Sequence, residues 1–259
     1  MGLIENQSYE AKVKPEYQRL LKELTNLVEG HFGVDLRAYY LLGSVGRGED
    51  LSGVSDMDTV IILKRNVIDE DEVWEKGIKA EFEPKYPLLS ILDIGCMDEK
   101  EFNEQDAKYL RFIFKTDGVL ICGQDITSNF SSYPPGLKLA KLLNHNYRET
   151  LAELRKDILE PDEDDKDNPN YVIEYVRWIS KKVLRLCLGI VMVNEVFYTR
   201  NMQAISLKFS QLYPAYQLQV ENALNQYLEP TNNLEQALKF IDEMSISIYQ
   251  LADEIMRES

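Results

Sequence analysis

Two carboxylates, Asp56 and Asp58, sit one residue apart just ahead of an apolar run from Val60 to Leu63. Successive side chains on a strand point to opposite faces. Asp56 and Asp58 therefore share a face, and Met57 and Thr59 point the other way. Two carboxylates this close repel, and burying them costs free energy unless a cation neutralises them. A hard divalent cation with oxygen ligands does so, magnesium first among them. Upstream, another apolar run ends at Leu42 and breaks at Gly43-Ser44. Gly43 has no side chain, so a phosphate can approach the backbone there. A helix starting just after Ser44 would aim its free N–H groups at that phosphate, and the Ser44 hydroxyl would add a hydrogen bond. A metal face beside a phosphate turn suits a metal–nucleotide substrate. Taken singly, Gly-Ser is also a helix cap, and Asp-x-Asp is also a solvated turn. Their placement between two apolar runs is what points to chemistry.

Positioning these residues takes two strands and a turn. Tyr40 to Leu63 reads as strand, Gly-Ser turn, a charged Gly-rich loop from Gly46 to Ser55, and a second strand. Ahead of it, residues 1–14 are polar and read as loose. Pro15 suits a helix first turn, and Leu20, Leu21, Leu24, Leu27 and Val28 recur at helical spacing until Gly30 and Gly33. Val34 to Leu42 is then the first strand. After the second strand, Ile68, Val73, Trp74 and Ile78 mark a helix that Pro84 and Pro87 break. Leu88 to Gly95 reads as a third strand, with Ile91, Asp93 and Gly95 on one face. One continuous helix is expected from Asp98, with acids in its first turn as the dipole prefers, ending at Gly118. Val119 to Cys122 is a short strand. Asn129 to Gly136, with Pro134 and Pro135, reads as a connection between domains. Beyond it the pattern is helical, with an acidic loop at Glu160–Asn170 and helices over 171–194, 201–213, 215–227 and 233–258. The expected fold is α+β: a small mixed β-sheet domain over 1–130, then an α-helical bundle over 137–259.

The chain has 259 residues, 44% of them hydrophobic, enough for a real core. Its net charge of −15 argues against a general nucleic-acid binder, which needs cationic grooves. Cys96, Cys122 and Cys187 lack zinc-ligand spacing, and two histidines cannot build a histidine-rich metal site. These thiols read as free in a reducing cytoplasm. The first residues lack the apolar core of a signal peptide, and no apolar run reaches membrane-spanning length. A cytoplasmic protein without a membrane partner is expected.

Gly43-Ser44 followed by Asp56-x-Asp58, twelve positions after Ser44, resembles the signature of the nucleotidyltransferase superfamily typified by DNA polymerase beta. The helical second half is similar to that of bacterial antibiotic nucleotidyltransferases such as the aminoglycoside adenylyltransferases. The resemblance implies a third carboxylate on a neighbouring later strand, and Asp93 stands where it belongs. It implies transfer of a nucleoside monophosphate from ATP or another nucleoside triphosphate to a hydroxyl of a small-molecule acceptor. Two magnesium ions would be held by Asp56 and Asp58, with Asp93 completing the site that activates the nucleophile. Asp93, Glu101 or Glu174 would take the acceptor's proton. Asp98 is a rival third acid that reads better as a helix cap. Gly43, Ser44 and Arg47 would meet the triphosphate, as would Lys181 and Arg185. The latter two lie with Arg177 on one helix face, four residues apart, and Lys182 is adjacent. Tyr198-Thr199-Arg200 would add polar and aromatic contacts, and the run Asp162 to Asp167 reads as a solvated loop. Adenylylation of a protein partner, as by antitoxin-like nucleotidyltransferases, and non-catalytic nucleotide sensing remain as alternatives. The residues leave the acceptor, the preferred triphosphate and the oligomeric state open.

Overall fold

The computed structural model describes residues 2–50, 55–104 and 107–256, without the side chain of Asp164. The expected readings at 51–54, 105–106 and 257–258 lie outside the described residues. The chain divides into two compact units, one spanning Ile4–Tyr133 and the other built mainly of residues from Pro134 onward.

The first unit is a four-stranded mixed sheet of β1 (Leu36–Leu42), β2 (Met57–Leu63), β3 (Leu92–Asp98) and β4 (Val119–Gly123), in the order β3-β2-β1-β4. β1 runs antiparallel to β2 and β4, and β2 runs parallel to β3. Its helices are α1 (Pro15–Phe32), the short α2 (Gly43–Arg47), α3 (Asp69–Lys85) and α4 (Lys108–Asp117). Alternation along the strands sorts two cores. Tyr39, Leu41, Met57, Ile61, Leu63, Leu92 and Ile94 face α1 and α3, packing with Leu20, Leu24, Val28, Ile78 and Phe82. Ala38, Tyr40 and Ile62 face the opposite way and pack with Phe102 and Phe114 of the α4 side.

β3 is an edge strand, and its outward N–H groups would be open to pairing with another chain. Carboxylates of α3 cover them. Glu83 accepts from the Leu92 N–H at 3.1 Å and Glu75 from the Cys96 N–H at 2.6 Å. The start of α3 is tied to the end of β2 by Arg65, which ion-pairs with the buried Asp71 carboxylate at 2.7 Å. Asp71 also accepts from the Ile68 N–H at 3.0 Å.

Several sequence expectations are corrected. The first strand begins at Leu36, because Gly33–Asp35 forms a 3-10 turn after α1, and Gly30 lies inside that helix. The third strand starts at Leu92 rather than Leu88. The continuous helix expected from Asp98 is a 3-10 turn, Glu99–Asn103, followed by α4. The N-terminal residues read as loose are a strap. Ile4 N–H donates to Tyr133 O at 2.9 Å, Gln7 N–H to Thr116 O at 3.0 Å and Tyr9 N–H to Gly46 O at 3.1 Å. Polar side chains say little about whether a segment's backbone groups find partners.

The second unit comprises α5 (Leu137–Leu143), α6 (Tyr147–Leu159), α7 (Glu163–Asp167), α8 (Tyr171–Asn194), α9 (Met202–Leu212), α10 (Gln217–Leu228), α11 (Leu234–Ser245) and α12 (Ile248–Ile255). α8 is its axis, buried on nearly all sides, with α5, α6, α9, α10, α11 and α12 against it. The acidic loop at Glu160–Asn170 contains α7, whose first turn Asp162 caps by accepting from the Asp165 N–H. The last expected helix is broken at Ile246-Ser247 into α11 and α12.

Arg65 holds the Asp71 carboxyl below the usual carboxylate range. Its stabilisation is therefore present above the ordinary carboxylate value, near pH ~4, and is lost as pH falls through the lower folded value. Asp71→Asn should destabilise the first unit by about 1–3 kcal/mol at neutral pH. Urea denaturation across pH should show that gap closing below pH ~4.

Candidate active site

The Gly-Ser turn and the acids meet at one end of the sheet. β1 ends at Leu42, which is in register with Asp58 on β2, and Asp58 is in register with Asp93 on β3. Met57 and Thr59 are buried on the α1 side, so alternation places Asp58 on the opposite face. Leu92 and Ile94 are likewise buried, which puts Asp93 on the same face as Asp58. Side chains in register on neighbouring strands start about 5 Å apart. Asp56 precedes β2 and accepts from the Ser90 hydroxyl at 2.7 Å.

Gly43 is required here twice over. Its φ is +78°, where a Cβ is disfavoured, and a Cβ would stand 2.3 Å from Asp58 Oδ2. The turn thus presses its backbone against a carboxylate. α2 begins at Gly43, two residues earlier than the sequence suggests. Gly46, one turn on, packs between Val119 and Ser8, where a Cβ would be 3.2 Å and 3.3 Å from their side chains.

The Gly43 N–H donates to Asp117 Oδ2 at 3.2 Å. The other oxygen of Asp117 accepts from the Ser8 hydroxyl at 2.8 Å and from Arg47 Nη1 at 2.6 Å. Asp117 is 1% exposed. Arg47 also pairs with Glu49 at 3.0 Å, and its side chain is only 11% exposed. Arg47, which the sequence reading sets against a triphosphate, places its guanidinium on this buried carboxylate beneath the turn. Sequence reading missed Asp117 and Ser8. One signal was present, since Asp117 is the last residue of α4, where the helix dipole disfavours an acid.

The acids do not close into a cluster. Among the described residues, no three His, Cys, Asp or Glu side chains stand together as a metal site. The Asp93 carboxylate is 67% exposed and turned to Lys79 of α3 at 3.7 Å, while its carbonyl accepts from the Thr59 hydroxyl at 3.3 Å. The donor set still suits a hard cation, being all oxygen, with two carboxylates in register on adjacent strands. What parts them is side-chain direction, not backbone placement.

Other expected residues have their own tasks. Asp98 caps the 3-10 turn by accepting from the Lys100 N–H at 2.9 Å. Glu101 returns the contact, accepting from the Asp98 N–H at 3.0 Å. Glu174 accepts from Asn168 at 3.1 Å at the start of α8. Arg177 donates to Tyr227 O at 3.3 Å, and Lys182 lies 4.8 Å from the Trp178 ring centroid. Burial, then the nearby Arg185 charge, lowers the Lys182 pKa. Lys181 and Arg185 are half-buried on α8. Their encounter with a triphosphate rests on the sequence reading. Thr199 accepts from the Asn201 N–H at the start of α9.

No family model matches the chain, and no characterised protein matches it by sequence. Among solved structures, it is similar to a spectinomycin adenyltransferase, AAD(9), from Enterococcus faecialis, determined with ATP and spectinomycin. The TM-score is 0.54 at 11% identity, covering 88% of this chain and 98% of that one. The chain has the nucleotidyltransferase fold. The match reaches well beyond the first unit, so the helical second half belongs to the likeness. No helix among the described residues is long and apolar enough to cross a membrane.

Gly43→Ala should retain secondary structure by circular dichroism yet lose at least about 1–2 kcal/mol in denaturant unfolding, from the left-handed backbone alone. The clash with Asp58 adds to this. A variant as stable as wild type would show that the turn is not pinned against Asp58.

Proposed function

We propose that this chain transfers a nucleoside monophosphate, AMP from ATP, to a hydroxyl of a small-molecule acceptor of the aminoglycoside-like antibiotic class. One observation carries the reading: Asp58 and Asp93 lie in register on one face, beside a glycine turn packed onto Asp58, in the fold of an adenyltransferase. The acceptor oxygen attacks the α-phosphorus, the bond to the β-phosphate's bridging oxygen breaks, and pyrophosphate leaves. Asp56, Asp58 and Asp93 would hold two magnesium ions, which supply charge neutralisation of the triphosphate and activation of the hydroxyl. The chain's own part is to place the reactants and to hold preorganised charge where the transition state needs it.

The acceptor's proton goes to an Asp93 carboxylate oxygen in this reading. Its exposure supports that role, because it can reach a reactant by rotating its side chain. Glu101 is engaged in capping, and Glu174 belongs to the other compact unit. The Ser44 hydroxyl and the α2 backbone hold phosphate oxygens. A small-molecule acceptor is favoured over a protein because the likeness extends through the helical unit of an enzyme described with spectinomycin.

Pyrophosphate release from ATP, with and without magnesium and a panel of aminocyclitol and aminoglycoside acceptors, tests the proposal. Release should depend on both. Asp58→Asn should lower it on the order of a thousandfold with unchanged circular dichroism. Equal rates for wild type and variant, or no release with any triphosphate, would defeat it.

A further inference from the structure

We infer that Asp117 is a positioning residue for this reaction, one that sets the phosphate-binding turn against the Asp58 carboxylate. The inference rests on the function proposed above. Asp117 stands at the C-terminal end of α4, where the helix dipole repels an acid, and it is buried. A buried charge in such a place is costly, and an apolar residue of similar volume is often neutral or better for stability. What the acid supplies is a connection between three separate segments. Its Oδ1 takes the Ser8 hydroxyl of the N-terminal strap at 2.8 Å and Arg47 of α2 at 2.6 Å. Its Oδ2 takes the Gly43 N–H at 3.2 Å.

Gly43 is thereby held from two sides. Asp117 draws on its N–H, and the Asp58 carboxylate fills the space where its Cβ would be. A shift of the turn toward β2 would strike Asp58, and the hydrogen bond to Asp117 holds the N–H in place. Arg47 lets this second carboxylate exist beside the Asp56-Asp58 pair, because its cation is committed to Asp117. Asp117 contacts no reacting atom. It acts through Gly43 and fixes the distance between phosphate and carboxylates.

The side-chain geometry makes Asp117→Asn a selective probe. An amide has one acceptor oxygen, and the two donors Ser8 and Arg47 both demand it at the Oδ1 position. The NH2 group then faces the Gly43 N–H, donor against donor. In the full chain, amide exchange at Gly43, followed by NMR, should speed up about tenfold or more. Pyrophosphate release per folded molecule should show kcat falling on the order of tenfold to a hundredfold. The KM for ATP should change little, which separates misplacement in the transition state from lost ground-state binding.

Unchanged exchange at Gly43 would overturn the clamp. Faster exchange with unaltered kcat would overturn the positioning role while leaving the reaction standing. If Asp117→Asn fails to fold, Ser8→Ala loosens the same carboxylate from the strap side. It should move both readouts in the same direction by a smaller factor, and a null result there also counts against the inference. Should wild type itself release no pyrophosphate, the functional reading falls and the positioning role with it. The exchange measurement would still decide the clamp.

Discussion

The carboxylate of Asp58 occupies the space in which a side chain at residue 43 would begin. This one contact joins the end of β1 to the start of β2, and it exists because the strands pair Leu42 with Asp58. Everything around it follows from keeping that pairing while tolerating an acid at the seam. Gly43 must be glycine, the turn must take a left-handed step, and the turn's N–H must find an acceptor away from the sheet. Asp117 is that acceptor. Its own burial then requires the cation and the hydroxyl that Arg47 and Ser8 bring.

The opposite edge solves a related problem. β3 carries Asp93 and is the outermost strand, so its free N–H groups would invite another chain. Glu75 and Glu83 of α3 accept from them, and Arg65 with Asp71 anchors the helix that carries both. The edge is thus sealed with carboxylates, while the Asp93 side chain stays largely exposed and pairs with Lys79 of the same helix. In this sheet, the acids of α3 serve as backbone acceptors, while Asp58 and Asp93 are in register on neighbouring strands.

The chain's two halves use polarity differently. In the helical unit, α8 is almost entirely enclosed, and buried polar groups on it are satisfied locally, as when the Ser180 hydroxyl donates to Val176 O at 2.7 Å. In the sheet unit, buried Ser8, Thr59 and Asp117 take partners far away in sequence. In sequence, the spacing of the basic residues of α8 marks one continuous face. In the fold, Arg177 reaches the Tyr227 carbonyl and Lys182 lies over Trp178, so the row divides into separate contacts.

The sequence by itself determined most element types, their order and the face on which Asp58 and Asp93 lie. Those depend on periods of 2.0 and 3.6 residues, which local spacing displays. The common face of Asp58 and Asp93 was legible for that reason, as was the extent of α8. Helix breaks without proline or glycine, such as Ile246-Ser247, were not, because tertiary packing overrode a continuing pattern. Only the tertiary structure decided which partner each polar group takes. It set Arg47 against Asp117 as a counter-charge, tied Glu101 into a cap, and made the N-terminal segment a strap. Ser8 and Asp117 are 109 residues apart, and Gly43 and Asp117 are 74 apart. Contacts over such separations are fixed by how the sheet and α4 pack, and they leave no periodic mark on the chain.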